Sequence, residues 1–179
     1  MYYTHLKQWE KVTEQFHAMV DENPNNAGAY AQRGEMLAAQ GRCEEAVESF
    51  DTALQIDPSQ AKAHVGLGEC QLLLNRRDSA EAHFRQALES HPDESRAHLQ
   101  LGILLTGKGQ FNGAIPHLLR ADDDAYGRER AQLLFALGTA YEKTGKAVEA
   151  RTTLETARAL AGAYGGSVKP ATPPKKPKR

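Results

Sequence analysis

Small and large apolar residues return along this chain in a fixed order every 34 residues. With Ala27, Ala61 and Ser95 set as position 1, Gly34, Gly68 and Gly102 fall at position 8, and Ala46, Ala80 and Ala114 at position 20. Position 24 reads Phe50, Phe84, Leu118, and position 27 reads Ala53, Ala87, Ala121. A fourth copy begins at Ala131, after a two-residue insertion in the connector from Asp122 to Gly127. It carries Leu137, Gly138, Tyr141, Gly145, Ala150, Leu154 and Ala157 at the same slots. Large residues at positions 7, 11 and 24 recur at helical spacing, so each copy predicts two helices whose apolar stripe is buried only against neighbouring copies. The small residues at 8, 20 and 27 mark where two antiparallel helices cross, because larger side chains there push the backbones apart. Between the helices stand Gly41, Asn75, Gly109 and Gly145, where a left-handed residue ends the first helix. Pro58 and Pro92 close the second helix and hold Asp57 and His91 out of the α region.

A helix-turn-helix unit of 34 residues built on this lattice resembles the tetratricopeptide repeat. The resemblance implies an all-α fold, a right-handed α-solenoid of four units (27–60, 61–94, 95–130 and 131–162), preceded by a partial unit over residues 1–26. Counting back from Pro24 puts Tyr3, Trp9, Val12, Phe16 and Met19 at positions 11, 17, 20, 24 and 27, so the chain starts inside a unit. That start fits a piece of a longer protein, a shifted start site, or a stub completed by another chain. Family members commonly close the stack with an extra helix, whereas here Ala161 leads into Gly162, Gly165, Gly166 and a proline-rich tail. The outward face of the last unit, with Val148, Leu154 and residues from Ala157 to Tyr164, is expected either to tolerate water or to be covered by a partner or a second copy.

In this family the first helix of each unit builds the concave surface, chiefly through positions 2, 5, 9, 12 and 13, and the usual ligand is a peptide laid along it. On that basis position 5 supplies Ala31, Val65, Leu99 and Phe135, an apolar ridge. Position 9 supplies Glu35, Glu69, Ile103 and Thr139, acidic in the N-terminal half. Position 2 supplies Gly28, Lys62, Arg96 and Gln132, a rim with two cations. Such a surface suits an amphipathic or extended peptide with apolar anchors and a basic end. The competing reading is a solvated face on which Lys62 pairs with a neighbouring glutamate. Members that grip the acidic C-termini of heat-shock chaperones carry a clamp of Lys, Asn and Arg. Its slots read here Ala31, Glu35, Gly66, Arg96 and Gln100, and only Arg96 fits. Glu35 and Glu69 repel a carboxylate, so those tails are not an expected ligand. The resemblance thus implies a scaffold or adaptor for a peptide or partner protein, with a secretion- or assembly-type chaperone holding a client segment as the alternative.

Charge adds a division. The net charge is −1, yet the segment 163–179 holds Lys169, Lys175, Lys176, Lys178 and Arg179 and no acid, which leaves 17 basic residues against 23 acids elsewhere. This Pro/Lys-rich tail is expected to be disordered with polyproline character. It offers weak, salt-sensitive attraction to nucleic acid or an anionic membrane without sequence readout, or simply a solubilising linker. No apolar run is long enough to span a bilayer and no charged-then-apolar leader opens the chain, so a cytoplasmic protein is expected.

Cys43 and Cys70 fall at unequal slots, 17 and 10, and are too few for a disulfide framework; reduced packing residues are expected. Among the histidines, His64 and His98 occupy position 4 and His83 and His117 position 23. Equivalent slots of adjacent units lie roughly 10 Å apart, too far to share a zinc with bonds of about 2 Å. The Asp122–Asp124 triplet lacks the alternating spacing and distal glutamate of a calcium loop. No His-Glu-x-x-His, Cys-x-x-Cys, phosphate loop or serine elbow occurs. No enzymatic activity, metal or cofactor is expected.

Overall fold

The computed structural model describes residues 14, 16, 18–121 and 125–163. Tyr3, Trp9, Val12, the Asp122–Asp124 triplet, Tyr164 and the basic tail lie outside the described residues. All regular structure among the described residues is helical. The chain divides into two units, Met1–Pro92 and Asp93–Arg179. In the first, residues 18–22 are helical (α1) and are followed by α2 (Ala27–Ala39), α3 (Cys43–Ile56), α4 (Ala61–Leu73) and α5 (Arg77–Ser90). Here α2 packs on α3, α3 on α4, α4 on α5, and α2 also on α4. In the second unit stand α6 (Ser95–Gly107), α7 (Phe111–Ala121), α8 (Gly127–Lys143) and α9 (Ala147–Ala163). There α6 packs on α7, α7 on α8, α8 on α9, and α6 on α8.

Close packing of the helices in each hairpin rests on a glycine facing a large side chain. A Cβ added to Gly34 would lie 2.5 Å from the Phe50 ring, and one on Gly68 the same distance from the Phe84 ring. In the second unit a Cβ on Gly102 would meet Leu118 Cγ at 2.6 Å, and one on Gly138 would meet Leu154 Cγ at 2.7 Å. Positions 8 and 24 therefore touch in every hairpin, as the lattice predicts. Phe50 does more than close its own hairpin. Its Cζ would stand 2.1 Å from a Cβ on Gly66, so this fully buried ring also packs against the backbone of α4 in the next hairpin.

The turns follow the predicted chemistry. Gly41, Gly109 and Gly145 have φ near +80°, and Asn75 has φ of 59°. At each, the following N–H reaches five residues back to a carbonyl of the finishing helix: Arg42 to Leu37 at 3.0 Å, Arg76 to Gln71 at 2.8 Å, Gln110 to Leu105 at 2.9 Å, Lys146 to Tyr141 at 2.9 Å. These bonds satisfy carbonyls that the helix end otherwise leaves unpaired. Before the prolines, Asp57 (φ −134°, ψ 97°) and His91 (φ −133°, ψ 89°) are out of the α region. The Asp57 carboxylate accepts hydrogen bonds from the Ser59 hydroxyl at 2.7 Å and the Ser59 N–H at 2.9 Å, and these hold it below the usual carboxylate range.

Three features depart from the repeat lattice. Helix α8 begins at Gly127, inside the stretch assigned to the connector, because Arg128, Glu129 and Arg130 supply a helical first turn ahead of Ala131. Helix α9 runs on through Gly162 to Ala163. Pro116 sits within α7, where it offers no N–H to the carbonyl one turn back. On the last hairpin Val148 is exposed, but Ala157 and Ala161 are buried, so the open face is smaller than the sequence suggests.

The Phe50 seat defines a stability test. Gly66→Ala forces the ring or α4 to shift, and by overpacking it should lower the unfolding free energy by about 1–3 kcal/mol in urea denaturation. Shortening the ring in a Gly66→Ala/Phe50→Leu double variant should recover part of that loss. Strict additivity of the two substitutions would show that the contact does not limit packing.

Candidate functional site

The first helices α2, α4, α6 and α8 carry positions 2, 5 and 9. In the first unit, Glu35 on α2 and Glu69 on α4 are half-buried and Lys62 is exposed. Ala31 and Val65 are only 1% and 4% exposed. In the second unit, Arg96 and Gln132 are exposed, Ile103, Phe135 and Thr139 half-buried, and Leu99 is 5% exposed. Three of the four ridge residues are thus packing residues that a ligand barely reaches. The cause is local: α4 touches α2, α3 and α5, and every residue from Ala63 to Gly68 is buried. Accessible apolar surface at these positions is concentrated in Phe135 and Ile103. The Thr139 hydroxyl is committed to its own helix, donating to the Phe135 carbonyl at 2.8 Å.

The histidines form an arrangement that the sequence reading overlooked. Comparison of equivalent slots in different repeats hides the fact that positions 4 and 23 of the same repeat face each other. The His64 and His83 ring centroids are 5.7 Å apart and tilted by 31°, across α4 and α5. Those of His98 and His117 are 5.1 Å apart and tilted by 36°, across α6 and α7, with their Nδ1 atoms 2.8 Å from one another. The signal was the repeated 19-residue spacing between histidines in consecutive repeats. Among the described residues no group of three or more His, Cys, Asp or Glu side chains is placed to hold a metal ion.

Unequal slots likewise concealed the cysteine pair. Slot 17 of one repeat meets slot 10 of the next, where α3 packs on α4, and both free thiols are buried in the same apolar cluster as Phe50 and Leu67. Burial, followed by the hydrogen bond with Cys43, pushes the Cys70 thiol up to about 12.

Two profiles of the tetratricopeptide repeat match residues 37–101 and 99–164. The chain belongs to the tetratricopeptide repeat family. Solved structures agree. The crystal structure of MamA is 20% identical, with a TM-score of 0.65 over 84% of this chain and 86% of that one. PilF of Pseudomonas aeruginosa is 28% identical, with a TM-score of 0.64 over 75% of this chain and 60% of that one. No curated protein matches the chain. The family makes the protein an interaction scaffold in the general sense, and the solved neighbours share its all-α repeat fold. Among the described residues no helix is long and apolar enough to cross a membrane.

The thiol pair provides a probe of the α3–α4 packing. At pH 8, iodoacetamide should label Cys70 in the folded protein at least a hundredfold (~10²) more slowly than in urea, because buried neutral thiols are poor nucleophiles. Mass-spectrometric detection of rapid native labelling would contradict the buried placement.

Proposed function

We propose that the protein is a non-enzymatic adaptor that holds an extended or amphipathic peptide segment of a partner along its first helices. The supporting observation is the division of what those helices leave accessible. At positions 2, 5 and 9 it is charged in the first unit, with Glu35, Glu69 and Lys62, while Leu73 at the end of α4 is 70% exposed; in the second it includes the apolar surface of Ile103 and Phe135 together with Arg96 and Gln132. Apolar anchors match the stretch in the second unit and basic residues the stretch in the first, the anchors supplying affinity and the charges orientation. Because Leu99 and Val65 are packing residues, the recognition surface is narrower than a four-residue ridge.

The test is affinity capture from the native host, comparing the wild type with an Ile103→Asp/Phe135→Ser variant and a Glu35→Lys/Glu69→Lys variant. Both variants should retain helical circular dichroism and lose captured partners by about tenfold or more, in line with removal of central anchors. Unchanged capture by both variants would eliminate the first-helix surface as the binding site.

A further inference from the structure

We infer that His83 and the His64 ring it faces form an acid-responsive latch, which holds the α4–α5 hairpin closed and opens by proton uptake at His83 in mildly acidic solution. His64 is 8% exposed, and its Nε2–H donates to the Pro58 carbonyl at 3.3 Å, because a carbonyl can only accept. The His64 Nδ1 is buried without a hydrogen-bond partner among the described residues, and so is the His83 Nδ1. A proton arriving at the His83 Nδ1 makes a charged donor without an acceptor in the α4–α5 seam, beside the His64 imidazole whose centroid is 5.7 Å away.

The groups around His83 decide the direction. Burial comes first and His64 on α4 second, and both disfavour the charged ring. Gln86 on its own helix and Asp51 on α3 favour it, but they are the smaller contributions, and the His83 imidazole is held below the usual histidine range. The unfolded chain takes up this proton near pH 6.5, whereas the folded chain resists. Stability from this group is therefore complete above about pH 6.5 and is lost as pH falls below it, because the unfolded state binds the extra proton. Helix α4 also carries Lys62 and Glu69, so opening would disturb part of the partner surface, a consequence that rests on the adaptor reading.

Amide hydrogen exchange and urea unfolding of the full chain at pH 7.5 and 5.5 test the latch without any ligand. Protection factors in α4 and α5 of the wild type, corrected for the slower intrinsic exchange at the lower pH, should fall at pH 5.5, and the unfolding equilibrium constant should rise by up to about tenfold per pH unit for each extra proton. His83→Gln should flatten both responses, and His83→Phe, which keeps a ring in the seam, should do the same if the glutamine variant folds poorly. An identical pH dependence in the wild type and the His83 variants would overturn the proposal, as would acid-induced loss of protection confined to helices other than α4 and α5.

Discussion

Every hairpin depends on a glycine that lets a neighbouring side chain reach the helix backbone. At Gly34 and Gly68 the side chain is a phenylalanine ring, and at Gly102 and Gly138 it is a leucine. With a side chain on the first helix, the second could not come within contact of its axis, and the small residues at positions 20 and 27 would face a gap. The fully buried alanines Ala46, Ala80 and Ala114 are therefore consequences of the glycine contact as much as independent choices. The left-handed turns at Gly41, Asn75, Gly109 and Gly145 then return the chain at the spacing the contact sets.

Much of this is legible in the sequence, because the same slots are forced in each copy. Glycine against a large residue, alanine at the crossing, and an extended residue before proline are local demands that recur with the period. What the period concealed was contact between unlike slots. Position 17 meets position 10 of the next copy at Cys43 and Cys70, and position 4 meets position 23 of the same copy at His64 and His83. Lattice arithmetic compares like with like, so it passed over both pairs.

The candidate surface was less legible than the fold for a related reason. A slot number places a residue on a helix face, but how much of that face remains accessible depends on how many helices crowd it. Val65 and Leu99 share position 5 with Phe135, yet the first two are buried and the third is only half so. Charged residues at positions 2 and 9 retain surface because their polar ends extend past the apolar contacts. Recognition in such a fold is left to the residues that packing does not claim, and these carry little of the family's signature.

Phe50 has a consequence for the order of the copies. Its ring needs glycine at position 6 of the following copy, and Gly66 supplies it, whereas the other copies have Gln32, Gln100 and Ala136 at that slot. The copies starting at Ala27 and Ala61 are thus a matched pair and not interchangeable modules. Shuffling, duplicating or deleting one of them without the other would separate lock from key, so the smallest portable piece of this part of the chain is two copies long.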